Sequence, residues 1–170
     1  NLSWKLAMVL QGEAGEKLLD SYEEERRPVG LLTVEQAYAR YIRRVVPEEI
    51  MPDTPEMRDE LTMEIGQFYR SGAVVDGRRE DEPACMHPDE TRGRPGSRVP
   101  HAPLPDGRST IDCATDCATG GLALLAGPEA RIEGAVVLPP EAAERCGIGA
   151  TGALLARPDG FVAWRSQDGK

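Results

Sequence analysis

NLSWKLAMVL QGEAGEKLLD SYEEERRPVG, Asn1 to Gly30, is the stretch from which the rest of the chain can be read. Between Leu2 and Leu10 only Ser3 and Lys5 are polar, so a helix here is apolar on almost every side and needs cover on several faces. No residue precedes Asn1 to cap its free backbone donors, and the chain is therefore expected to be the back end of a longer polypeptide. Gly12 stops this helix and Gly15 precedes a second, in which Leu18, Leu19 and Tyr22 share a face. Glu23 and Arg27 stand four apart, the spacing of a helical ion pair. Pro28 is expected to punctuate that second run.

Asn1-Leu2, Trp4-Lys5-Leu6-Ala7, a short Gly-rich link, Leu18-Leu19-Asp20-Ser21-Tyr22-Glu23 and Glu25-Arg26-Arg27-Pro28 follow one another in an order that resembles one family. It is that of the flavin-dependent aromatic hydroxylases of the p-hydroxybenzoate and phenol hydroxylase type, in which such a segment directly follows the last flavin-binding motif. The resemblance implies FAD as cofactor, NAD(P)H as co-substrate and an aromatic small molecule as substrate. It also implies that the flavin-binding parts precede Asn1, so a flavin domain upstream, or its equivalent, is the expected partner.

Twenty basic against twenty-nine acidic residues give a net charge of −9, which argues against nucleic acid or an anionic membrane as partner. Apolar runs are too short to span a bilayer and no secretory cleavage pattern is present, so a cytoplasmic location is expected. Cys85, Cys113, Cys117 and Cys146, with only two His, lack the paired short spacings of a zinc site, and free thiols are the default.

Beyond Pro28, Leu31, Val34, Ala37, Tyr38, Tyr41, Ile42 and Val45 recur at helical steps and predict an amphipathic core helix over residues 31–46. Arg40, Arg43 and Arg44 then fall on its outer, solvated side. Thr54-Pro55-Glu56 has the form of an N-cap with Pro at the first helical position and predicts a fourth helix reaching Phe68. Residues 64–75 change period from helical to extended. These residues, 1–75, form the helical end of the flavoprotein body in this reading.

Residues 76–105 shift to Arg, Asp, Glu, Gly and Pro and are expected to be an extended linker or strap. Within it, Arg94-Pro95-Gly96-Ser97-Arg98-Val99-Pro100-His101 resembles a PGxRxPH element of the same family. No nucleophile or acidic orienter accompanies His101, so a structural hydrogen bond is expected of it.

Residues 106–170 read as a small α/β domain. Gly121 to Gly127 is a continuous apolar run fitting a buried strand, and residues 134–138 fit a second. Pro139-Pro140-Glu141 opens a short helix to Cys146. Ala153-Leu154-Leu155-Ala156 and Phe161-Val162-Ala163-Trp164 flank Pro158-Asp159-Gly160 as a hairpin. The family resemblance implies a thioredoxin-like domain, giving an α+β chain overall, with two departures. The link between the first two strands is shorter than a parallel crossover needs, so either the crossover helix is eroded or the strands pair differently. The three-residue spacing of Cys113 and Cys117 is not that of a redox pair, and no nearby charge lowers a thiol pKa there.

A flavin hydroxylase needs a glycine-rich turn whose following helix receives the pyrophosphate. Gly147-Ile148-Gly149-Ala150-Thr151-Gly152 comes nearest, with the wrong last spacing and a hairpin after it. No catalytic, cofactor-binding or metal-ligating residue is expected within the chain. The function expected is that of a fragment of an FAD-dependent monooxygenase, hydroxylating a phenolic or polyketide-type ring with NAD(P)H and O2. The alternative is a non-catalytic thioredoxin-like module that packs against, or dimerises with, a flavoprotein. The sequence leaves the oligomeric state open, a homo-oligomer included.

Overall fold

A computed structural model describes residues 1–75, 83–115 and 121–168. Helix α1 spans Leu2–Leu10 and ends as Gly12 turns the backbone left-handed. The cover expected for it is not met within the chain: Leu2 and Leu6 are exposed, Leu10 is 84% exposed, and the residue buried is Lys5. Helix α2 spans Lys17–Val45, and the break expected at Pro28 does not occur. Pro28 lacks the donor that would reach the Glu24 carbonyl, but both residues face water, which can satisfy that carbonyl. The pair Arg27–Glu23 forms at 2.9 Å on the exposed surface.

The expected core face of residues 31–46 points outward instead. Leu31 is 66%, Val34 70%, Tyr38 54% and Val45 59% exposed, while Val29, Gln36, Ala39 and Ile42 are buried. Gln36 explains why the next helix is shorter than its Thr-Pro-Glu start predicts. Its amide donates to the Glu56 carbonyl at 2.9 Å and accepts from the Arg58 N–H at 2.8 Å, holding that segment against α2. Thr54 meanwhile accepts from the Met51 N–H within a turn, so it caps nothing. Helix α3 therefore spans only Glu60–Ile65, with Asp59 as N-cap accepting from the Thr62 N–H at 2.8 Å. Residues after it form no named strand: Gln67 makes an isolated bridge with Cys85, and the Tyr69 N–H donates to the Gly96 carbonyl.

In the segment read as a strap, Pro88–Thr91 form a short helix, α4, and Cys85, Thr91, Ser97, Val99 and Ala102 are buried. Gly96 and Val99 donate to the carbonyls of Val162 and Gly160, so this segment is stitched to the final hairpin. Helix α5, Thr110–Thr115, carries Cys113 inside it. Ser109 and Asp112 exchange hydrogen bonds at its start, at 2.7 to 3.2 Å, and so cap it.

The mixed sheet has strand order β2-β1-β3-β4, with β1 at Ala123–Ala126, β2 at Val136–Val137, β3 at Ala153–Ala156 and β4 at Val162–Ser166. β1 and β2 pair in parallel with no helix between them. β3 is antiparallel to both neighbours. Helix α6, Pro140–Arg145, follows β2. Leu125, Leu138, Leu154, Val162, Ala143 and Cys146 form the centre of the core, with Val99 and Ala102 from the strap segment. A second, smaller cluster joins Val29 of α2 to Tyr69, Val74 and Phe161. The architecture is thus α+β, with the helices of residues 1–75 joined to the sheet through few apolar residues.

Candidate functional site

Four charged groups meet where α1, α2 and the β3–β4 turn converge. Local sequence places them: Lys5 projects from the second turn of α1 and Glu25 from α2, four residues after Ser21 and so one turn along the same face. Arg157 and Asp159 sit in the tight hairpin turn, where the Arg157 N–H donates to the Phe161 carbonyl and Gly160 adopts φ 78°.

The Glu25 carboxylate accepts five hydrogen bonds. Arg157 forks onto both its oxygens at 2.6 and 2.9 Å, Lys5 Nζ donates at 2.9 Å, Ser71 Oγ at 2.6 Å and Asn1 Nδ2 at 2.7 Å. Arg157 also donates to Asp159 through Nε at 3.1 Å and Nη2 at 2.8 Å. Asn1 Nδ2 reaches Asp159 as well, at 3.0 Å, and Lys5 donates to Ser21 Oγ at 2.6 Å. Two carboxylates fix the Asn1 amide with its nitrogen toward them, since its oxygen would be repelled there. That oxygen, Oδ1, and Trp4 Nε1 are buried without a partner among the described residues. The Arg157 guanidinium lies 5.0 Å from the Trp4 ring centre and 5.5 and 5.8 Å from those of Tyr69 and Phe161. Tyr69 and Phe161 stack at 4.0 Å, and Arg26 donates to the Tyr69 hydroxyl at 2.9 Å.

Lys5, Glu25 and Arg157 are all buried. Burial pushes the Glu25 carboxyl upward, but the hydrogen bonds and charge of Arg157, with Asn1 and Lys5, outweigh it and hold the group at about 2. Burial lowers Lys5 below the ordinary lysine range against the pull of Glu25. Burial also acts to lower Arg157, yet Glu25 and Asp159 raise it on balance. Two cations and two anions leave the cluster neutral. A carboxylate already accepting five bonds has no vacant lone pair for a substrate proton, so the arrangement holds and orients backbone elements instead of exchanging protons.

His101 is exposed and makes no hydrogen bond with the described residues, contrary to the structural bond expected of it. Cys113 is buried in α5, and Cys117 lies outside the described residues. Burial raises the Cys146 thiol to about 11 and raises Cys85 as well. Arg40 and Arg43 are half-buried and Arg44 exposed; Arg43 donates to the Ala39 carbonyl of its own helix. No group of three or more metal-ligating side chains occurs among the described residues. An open cleft of about 370 Å³ lies beside the cluster, with Asn1, Tyr22, Arg26, Arg98 and Asp159 among its walls.

The Gly147–Gly152 run is closed to phosphate. Its Gly149 N–H is taken by the Gln167 carbonyl at 2.7 Å, and a side chain at Gly152 would strike that same carbonyl. The glycines here accommodate the chain's own backbone, and these residues by themselves do not fit an FAD pyrophosphate.

Sequence reasoning paired Glu23 with Arg27 but did not find the buried cluster. Its signal was Lys5 itself, a lone cation in an apolar run, because a lysine is almost never fully buried without a partner.

The helices and the mixed sheet define an α+β chain, and comparison with known proteins gives its class. Residues 1–37 match the model of the FAD binding domain, and residues 92–170 match that of the aromatic-ring hydroxylase C-terminal region. The chain is 42% identical to 4-methyl-5-nitrocatechol 5-monooxygenase of Burkholderia sp., an alignment covering 99% of this chain and 35% of that protein. It is 38% identical to an aklavinone 12-hydroxylase of Streptomyces purpurascens, over 99% of this chain and 35% of the relative. The structure of aklavinone-11 hydroxylase in ternary complex with FAD and aklavinone superposes with a TM-score of 0.84 at 35% identity, over 99% of this chain and 35% of that one. The chain belongs to the flavin-dependent aromatic hydroxylases and corresponds to their C-terminal part. It spans about a third of the length of the relatives it matches.

Proposed function

We propose that this chain serves as the C-terminal part of an FAD-dependent monooxygenase that inserts one atom of O2 into a phenolic or polyketide-type ring, using NAD(P)H. The observation that carries the reading is the superposition on aklavinone-11 hydroxylase, which runs through both matched segments of one chain. The ring chemistry belongs to the flavin, whose pyrophosphate the Gly147–Gly152 run does not fit. Residues of this chain fix the seat of α1 and α2 and cover part of the body that holds the cofactor. A flavin-binding body is accordingly the partner for the exposed sides of α1 and α2, and the location is cytoplasmic.

Three units serve this role: residues 1–75 as the helical end of the flavoprotein body, 76–105 as a connecting strap, and 106–170 as a thioredoxin-like domain. The parallel β1–β2 pair joined to an antiparallel β3–β4 hairpin, with α5 packed on β1, supports the thioredoxin-like reading. Its function there is packing, since Cys113 lies buried in a helix.

Addition of FAD to the isolated 170-residue chain tests the division of labour. The expected result is unchanged flavin fluorescence and absorbance. A stoichiometric yellow complex overturns the assignment of the flavin site to another body.

A further inference from the structure

Helix α1 is held in an unusual way for an apolar helix. None of its hydrophobic side chains is fully buried, Trp4, Met8 and Val9 being half-buried and Leu2, Leu6 and Leu10 exposed, and the residue it buries is Lys5. The side-chain hydrogen bonds that fasten it run from Asn1 and Lys5 to Glu25, Ser21 and Asp159. Glu25 is in turn gripped at both oxygens by Arg157, which is itself fixed by Asp159 and by the rings of Trp4, Tyr69 and Phe161. The residue at the start of α1 and the turn of the final hairpin, 158 positions apart in sequence, thus share one hydrogen-bonded unit.

We propose that Arg157 and Asp159 are positioning residues: the β3–β4 turn sets the seat of α1, so that the C-terminal end of the chain controls the placement of the segment that adjoins the flavin-binding body. The first half concerns contacts within this chain, and the second rests on the proposed function, because α1 lies in the stretch matching the FAD binding domain. Buried ion clusters contribute orientation more than net stability, since desolvation consumes most of what the pairing yields. A helix fixed by such a cluster is placed by direction and distance: the planar fork of Arg157 fits a carboxylate in one orientation, whereas greasy side chains slide. Asp159 closes the device by holding the other side of the fork and Asn1 together.

Hydrogen exchange on the full 170-residue chain, read by peptide, tests this. In Arg157→Met the amides of residues 6–11 should lose protection by at least about tenfold, while those of β1 and β3 keep most of theirs, the signature of a local opening. Arg157→Lys should not restore α1, because an ammonium cannot fork both Glu25 oxygens. Leu154→Ala, in the sheet core, is the contrasting control and should weaken the β1 and β3 amides. If α1 and sheet protection fall in step in Arg157→Met, or α1 is unaffected, the positioning role is wrong. If Arg157→Met fails to fold, the isosteric Asp159→Asn decides. It should speed exchange in α1 alone and shift Trp4 emission, measured in a Trp164→Phe background; no change in either overturns the proposal. These readouts need no flavin, so failure of the flavin reading, seen as no NAD(P)H oxidation on reconstitution, is distinguishable from failure of the latch.

Discussion

Arg157, in the turn after β3, grips both carboxylate oxygens of Glu25, in the middle of α2, at 2.6 and 2.9 Å across 132 positions of sequence. The pair is buried on both sides, which makes it different in kind from the exposed Glu23–Arg27 pair two residues away. Removal of one member of a buried pair strands the other, so Arg157→Met should lower the free energy of the local opening of α1 by about 3–5 kcal/mol, read by hydrogen exchange. Glu23→Ala should change stability by no more than about 0.5 kcal/mol. Equal effects for the two would show that burial of the cluster carries no energetic weight.

Acid should find the same cluster. Glu25 titrates near 2 in the folded chain against an ordinary value of 4.5. Its contribution, about 3 kcal/mol, is complete above the unfolded pKa and is lost as pH falls from about 5 through 2. The expected result is an acid limb in the stability curve over that window which is flattened in Glu25→Gln. An identical acid limb in the variant would contradict the assignment.

Burial protects two thiols. With Cys146 raised to about 11 and Cys85 also raised, neither should react with a thiol reagent at pH 8 until the chain is unfolded. Mass spectrometry of the labelled chain checks this, and prompt native labelling at Cys146 is the contrary outcome.

Gly96 has φ 92°, donates to the Val162 carbonyl at 2.8 Å and accepts from the Tyr69 N–H at 2.8 Å. An added Cβ would collide with the Tyr69 carbonyl oxygen. Gly96→Ala should therefore destabilise by at least about 2 kcal/mol and loosen the Tyr69–Phe161 stack. A neutral substitution, judged by thermal unfolding, would mean that the strap is not pinned here.

The exposed stripe Leu31, Val34, Tyr38, Tyr41 and Val45 should make the isolated chain self-associate. Sedimentation should show association that falls in a Leu31→Glu, Val34→Lys double variant. A monomer at high concentration in the unsubstituted chain would contradict it.

What was legible in the sequence was local. Pro158-Asp159-Gly160 encodes its own turn, so the hairpin could be read directly, and Gly-bounded apolar runs marked β1. Pro28 misled because its effect depends on whether the Glu24 carbonyl reaches water, a tertiary fact. Residues 31–45 misled because periodicity defines an apolar face but not whether this chain covers it. Asp59 beat Thr54 as a cap because Gln36, in another helix, holds residues 56–58. The buried cluster depended on the meeting of Lys5, Glu25 and Arg157, and no short-range pattern encodes that. Only Lys5, a lone cation in an apolar run, hinted at it.

Reconstitution tests the central claim most directly. The chain should be mixed with a separately produced flavin-binding body from the remaining, N-terminal part of 4-methyl-5-nitrocatechol 5-monooxygenase, the relative of which it matches 35%. The account predicts a soluble complex that retains FAD through gel filtration and oxidises NAD(P)H faster when an aromatic substrate is added. No association, with the flavin-binding body behaving the same with and without this chain, would contradict it.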